Sequence, residues 1–208
     1  MNITVISVNF MTKKLITDCF QSFRSFYPSL PFILVDNGSD DDSTRYIEHV
    51  GESEKDVLAI LNRENLGHGP ALHQGICAAK TRYVFTIDSD CIVQRGGFLE
   101  QMLAEFQADP ELFALGSITP AHKSGPVLYL AETRALMDRE KYLELSPFID
   151  HGAPAINTMI DVWRVGLHLK AFPIDDYIEH LGSGTMRLFD YPSRPWHPPR
   201  EARHEKTD

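Results

Sequence analysis

The chain has 208 residues, 43% of them hydrophobic and 24% charged, which suits one packed domain with at most a small appendage. Its formal net charge of -9 argues against a nucleic-acid partner, normally gripped by surplus Lys and Arg, and leaves free nucleotides and divalent cations open as ligands. The isolated cysteines Cys19, Cys77 and Cys91 form no CxxC pair, so no zinc knuckle or disulfide framework is expected and a reducing, cytoplasmic setting is the simpler reading.

Ile3 to Val8 is a strand candidate, followed by an amphipathic helix over Lys13 to Phe26 with Leu15, Ile16, Cys19, Phe20 and Phe23 on one face. Phe32 to Val35 is an apolar run that ends in the turn signal Asp36-Asn37-Gly38-Ser39. A short helix is expected from about Asp42 to His49, a third strand over Val57 to Leu61 and a third helix over Gly69 to Lys80. Tyr83 to Ile87 reads as a fourth strand, Phe98 to Ala108 as a fourth helix and Leu112 to Leu115 as a fifth strand. After Thr119 the pattern changes: 122–126 is a loop, and Leu128 to Met137 suits a strand or a helix. Ala153 to Gly166 reads as a helix, with Pro154 in its first turn and Gly166 as the cap. Lys170 to Ile174 and Tyr177 to Leu181 are short strand candidates, and a Pro-rich, charged tail begins at Tyr191. The organisation expected is a donor-binding half over 1–119, an acceptor-site half of the same domain over 120–190, and a tail over 191–208. The N-terminus is no signal peptide, and no apolar run reaches the ~20 residues that cross a bilayer, so a soluble chain is expected, with peripheral membrane contact open.

Strands alternating with helices imply right-handed crossovers and a mostly parallel sheet covered on both faces, with a ligand crevice at the carboxyl ends of the strands. That topology gathers Asn9, Asp36, Asn65 and the Asp88-Ser89-Asp90 triplet at one edge. Two carboxylates one residue apart at a strand end supply part of an oxygen cage for Mg²⁺ or Mn²⁺, although a solvated turn would use the same residues. Asp36 could accept hydrogen bonds from a nucleoside, or serve only turn chemistry. Asn65-Leu66-Gly67-His68-Gly69 opens a helix whose N-terminal amides favour an anion; a plain helix entry explains it equally.

Taken together, these runs resemble the family 2 glycosyltransferases of the GT-A fold. The resemblance lies in Ile3 to Asn9, the VDNGSDDDS run from Val35 to Ser43, the NLGHGPALHQGI run from Asn65 to Ile76 and IDSD from Ile87 to Asp90. It implies that Asp36 contacts the nucleoside, Asp90 binds the metal, Asp88 helps to bind the donor, and Asn65 and Gly67 line the donor pocket. His180 resembles the family's late histidine at the metal or diphosphate, and the Gly-Ser-Gly-Thr run from Gly182, with Ser183, could form a phosphate nest. The family's Glu-Asp pair before a helix, one member of which is the catalytic base, falls here on Pro154 and Ala155; Asp150 becomes the candidate base and His151 its reserve. The remaining histidines receive no role, and Trp163 is assigned to the core. Trp196, in the tail, is either a packing anchor or a sugar-stacking residue. The expected activity is inverting, Mn²⁺- or Mg²⁺-dependent transfer from a nucleotide-diphosphate sugar, a UDP-sugar being favoured, to a glycan or lipid-linked acceptor. A sugar nucleotidyltransferase is the alternative enzyme, but Asn9 to Lys13 lacks the glycine-rich loop it would need. A non-catalytic nucleotide-sugar-binding module is the other alternative.

Overall fold

The structure, a computed structural model, describes residues 1–120, 127–149 and 153–182. The expected loop over 122–126, the candidates Asp150, His151 and Ser183, and the tail with Trp196 lie outside the described residues.

The first half alternates as its hydrophobic periods dictate. β1 (Ile3–Asn9), α1 (Lys13–Phe26), β2 (Phe32–Asp36), α2 (Ser43–Ser53), β3 (Val57–Leu61), α3 (His68–Ala78) and β4 (Tyr83–Ile87) follow one another. β1 and β2 are buried at every position, the pattern of strands covered on both faces. Then come β5 (Cys91–Val93), α4 (Phe98–Ala108), β6 (Leu112–Pro120), β7 (Leu128–Asp138), α5 (Arg139–Tyr142), α6 (Ile156–Arg164), β8 (His168–Ala171), a 3₁₀ turn at Ile174–Asp176, and β9 (Ile178–His180).

Seven strands form the central sheet in the order β3-β2-β1-β4-β7-β6-β8. The β1–β2, β1–β4, β2–β3 and β6–β8 pairings are parallel, whereas β7 runs antiparallel to both β4 and β6. One core layer packs Ile16, Cys19, Phe20 and Phe23 of α1, Ile47 of α2 and Phe98 of α4 against the sheet. The opposite layer holds Ala71, Leu72 and Ile76 of α3 with Met159 and Val162 of α6. The expected α/β domain with helices on both faces is thus the observed one, and no described helix is long and apolar enough to cross a membrane.

The second half settles differently in three places. Leu128 to Asp138 is a strand, because two neighbours satisfy its backbone. The strand expected over 170–174 ends at Ala171, and Ile174 enters the 3₁₀ turn. Trp163 is not a core residue: it is 61% exposed at the rim of a groove between α6 and β8. The physical reason is that β8 is the edge strand, so the sheet offers no surface for a second apolar row of α6. Gly166 has φ +78° just past the helix end, as its capping role requires.

Candidate functional site

The parallel register sets Asn9 beside Asp36 at the carboxyl ends of β1 and β2. Asp36 is fully buried and accepts four hydrogen bonds: from Asn9 Nδ2 at 3.0 Å, Ser39 Oγ at 2.7 Å, Ser39 N at 3.1 Å and Thr44 Oγ1 at 2.8 Å. A buried carboxylate is tolerable when its lone pairs are filled in this way. Its neighbour Asn37, also buried, donates to Asn65 Oδ1 at 2.9 Å and accepts from Leu66 N at 3.1 Å, so the Asn65–Gly67 loop is tied to the β2 end. The crossing requires glycine at position 38, where φ is +78° and a Cβ would lie 2.4 Å from the Glu64 carbonyl carbon.

A second chain of contacts runs across the sheet edge to the carboxylate triplet. Thr12 Oγ1 donates to Asn9 Oδ1 at 2.6 Å and lies 3.2 Å from Ser89 Oγ. Asp88 and Asp90 flank that serine. The short antiparallel ladder of β5 and β9 pairs Cys91 with His180, and Leu181 N donates to Asp90 O at 2.9 Å. His180 Nε2 therefore reaches Asp90 Oδ1 at 3.1 Å and Asp88 Oδ2 at 3.8 Å. His68 Nε2, from the first residue of α3, lies 3.6 Å from Asp88 Oδ1. Burial, reinforced by the Asp90 charge, pushes the Asp88 carboxyl up to about 7, while His180 and Arg134 pull it down.

Asp90, Cys91 and His180 offer ligand atoms within 4.8 Å of one another. Burial drives the Cys91 thiol above its ordinary range, with Asp88 adding to the effect, and a soft sulfur suits the hard cations Mg²⁺ and Mn²⁺ poorly. What remains is a buried carboxylate and a half-exposed imidazole, an incomplete cage that phosphate oxygens could finish. These residues fit a divalent cation.

β7 brings two charged residues into the same neighbourhood. Asp88 N donates to Thr133 O at 3.0 Å, which places Glu132 and Arg134 on either side of that contact in the chain. Arg134, 8% exposed, pairs with Asp175 and donates to Ile178 O at 3.3 Å, joining β7 to the segment that carries His180. Glu132, also 8% exposed, accepts from the Tyr129 hydroxyl at 2.8 Å.

Asn9, Asp36, Asn65, Asp88 and Asp90 thus gather at the one sheet edge that the topology predicts, joined through Thr12, Ser89 and Asn37, and Gly67 and His180 lie against them. The sequence reading missed Thr12, Thr44, His68, Glu132 and Arg134. His68 stood in plain view inside the Asn65–Ile76 run. Glu132 and Arg134 also left a signal, since two charges spaced by two in a strand otherwise rich in Leu and Ala are costly to bury without a use.

An open α/β sheet with a polar, cation-compatible cluster at its carboxyl edge is the arrangement in which such folds bind their ligands. The model of the glycosyl transferase family 2 matches residues 4–190, and the chain belongs to that family. Among curated relatives, it is 33% identical over 89 residues to poly-beta-1,6-N-acetyl-D-glucosamine synthase of Staphylococcus aureus, covering 43% of this chain and 21% of that protein. It is 32% identical over 110 residues to the glycosyltransferase GlyG of Streptococcus pneumoniae, covering 51% and 36%. The chain thus spans about a fifth to a third of those relatives. Among solved structures, the mannosyltransferase PcManGT from Pyrobaculum calidifontis, in complex with GDP-Man and Mn²⁺, superposes with a TM-score of 0.69 at 20% identity, over 83% of this chain and 55% of that one. S. aureus TarS 1-349 in complex with UDP-GlcNAc gives a TM-score of 0.65 at 14% identity, over 88% and 61%. At those identities the likeness establishes the GT-A fold.

Proposed function

We propose that the chain transfers a sugar from a nucleotide-diphosphate donor to a hydroxyl acceptor, with inversion at the anomeric carbon. The observation that carries this reading is the Asp90–His180 contact of 3.1 Å beside Asp88, tied through Ser89 and Thr12 to the Asn9–Asp36 network. Asp90 and His180 hold Mn²⁺ or Mg²⁺, which when bound neutralises charge on the departing diphosphate. Asn9, Asn65, Gly67 and Asp88 line the donor pocket, with Ser183 as a phosphate contact from outside the described residues. Asp36 is wholly enclosed, so it acts by fixing Asn9, Ser39 and Thr44 rather than by reaching far into the pocket. Asp150, with His151 in reserve, takes the proton of the acceptor hydroxyl, a contribution of roughly 10²–10⁴-fold in rate. A UDP-sugar is the favoured donor, in line with the UDP-GlcNAc bound by TarS, and the acceptor is a glycan or a lipid-linked saccharide.

The test incubates the protein with Mn²⁺, a panel of nucleotide sugars and saccharide acceptors, and follows the product by NMR. Transfer with an inverted anomeric centre is expected. Retention removes the base assignment, pyrophosphate chemistry identifies a nucleotidyltransferase, and donor binding without turnover identifies a binding module.

A further inference from the structure

Glu132 stands out among the buried charges. It lies on β7, which is otherwise apolar along most of its length, and it is 8% exposed. Among the described residues, the side chain that hydrogen-bonds to it is Tyr129, whose hydroxyl donates to Oε2 at 2.8 Å. A carboxylate offers about four acceptor positions, so the Tyr129 hydroxyl and the residue's own backbone amide leave part of that capacity for something else. Arg134, two residues on, directs its Nη1 to Asp175 and the Ile178 carbonyl. Burial raises the Glu132 carboxyl above its ordinary value; the charges that act on it are His68, which lowers it, and Asp88, which raises it.

Both of those groups belong to the donor side. Asp88 follows β4 and is fastened to β7 by its amide bond to the Thr133 carbonyl, one residue from Glu132. His68 opens α3 and lies 3.6 Å from Asp88. The Tyr129 hydroxyl that holds Glu132 also lies 3.5 Å from the amide of Ala155, just before α6, which restrains the carboxylate from the acceptor side. A fixed, buried, acceptor-only group next to the diphosphate-facing carboxylates is suited to receive hydrogen bonds from a sugar that hangs beyond the phosphates.

Resting on the reading above, we propose that Glu132, together with His68 at the neighbouring Asp88, forms the hydroxyl-recognising end of the donor-sugar pocket and selects neutral hexosyl donors over uronosyl donors. A neutral sugar presents hydroxyl donors to Glu132. A uronate presents a second carboxylate to a site already holding Glu132 and Asp88, and like charges brought together there are strongly disfavoured. A site built to bind a hydroxyl also rejects the analogue lacking it, because its own buried polar group is then left unpaired.

The test measures, by calorimetry with Mn²⁺, the binding of UDP, UDP-glucose, UDP-glucuronate and the corresponding deoxyglucose donors to wild type and to Glu132→Gln. A guanosine series, with mannose and mannuronate, serves if GDP is the tighter diphosphate. Wild type is expected to prefer the neutral sugar at least tenfold over the uronate. Glu132→Gln should lose about tenfold of that preference while its affinity for the free diphosphate stays within twofold. An equal or better uronate affinity in wild type overturns the proposal without recourse to any variant. So does a Glu132→Gln protein with unchanged sugar discrimination, or one whose diphosphate affinity falls in parallel, which marks a structural role. His68→Gln provides a second, exposed-site variant and should weaken sugar binding severalfold with the diphosphate unaffected; no change there removes His68 from the pocket. If wild type binds no nucleotide diphosphate or nucleotide sugar at all, the donor-site reading itself fails and takes this proposal with it.

Discussion

Around Asp36, three residues supply four hydrogen bonds to one fully buried carboxylate, and the loops on both sides are fastened to it. At the entrance of α6, by contrast, the N-cap position is Ala155, which makes no side-chain capping bond. The edge around Asp36 is therefore self-organised: its carboxylate is satisfied by its own neighbours. The second half, around α6, is organised by apolar packing, with Ala155, Met159 and Val162 buried against the sheet. Rigid polar frameworks suit a constant ligand part such as a nucleotide diphosphate, whereas a packed, polar-poor entrance can be re-cut for different acceptors.

The most damaging way to probe that contrast is Asp36→Ala. It orphans the buried donor of Asn9 and the part-buried donors of Ser39 and Thr44 together and should cost roughly 3 kcal/mol of stability, measured by urea unfolding. A loss below about 1 kcal/mol would mean that the donor edge does not hold itself together as described. Next in size is Asp90→Ala, expected to weaken Mn²⁺-dependent nucleotide diphosphate binding by on the order of 100-fold in calorimetry, because it removes a first ligand rather than an outer one. Unchanged affinity would dismantle the metal site. Gly69→Ala tests the seam between the halves: its Cβ would meet Pro154 Cβ at 2.9 Å and the Ile149 amide nitrogen at 3.1 Å. Overpacking of that kind should cost about 1–3 kcal/mol and displace the approach to α6. A neutral outcome would show that the seam yields freely. Smallest of all, Trp163→Ala should move stability by no more than about 0.5 kcal/mol, since the ring is 61% exposed. A large loss would return Trp163 to the core.

Most of the donor half could be read directly from the residues. The strands end where apolar runs meet Asn9, Asp36 and the Asp88–Asp90 triplet, and crossover topology alone predicts that these ends share an edge. The helix over Lys13–Phe26 was legible to the residue from its apolar spacing. The second half resisted for physical reasons. Leu128 to Asp138 carries apolar residues without a decisive period, and only its pairing with β4 and β6 makes it a strand. The β5–β9 ladder joins segments some ninety residues apart through three residues on each side, too short a run to leave a periodic signal.

Sequence by itself determined the alternating architecture, the family, and which carboxylates share the carboxyl edge of the sheet, because those follow from local hydrophobic period and from motifs with fixed spacing. Tertiary structure alone decided that Arg134 ties β7 to the histidine-bearing segment and that Glu132 is buried against the Tyr129 hydroxyl. Those contacts depend on long-range strand pairing, whose register is set by the burial of whole faces rather than by any residue's neighbours in the chain.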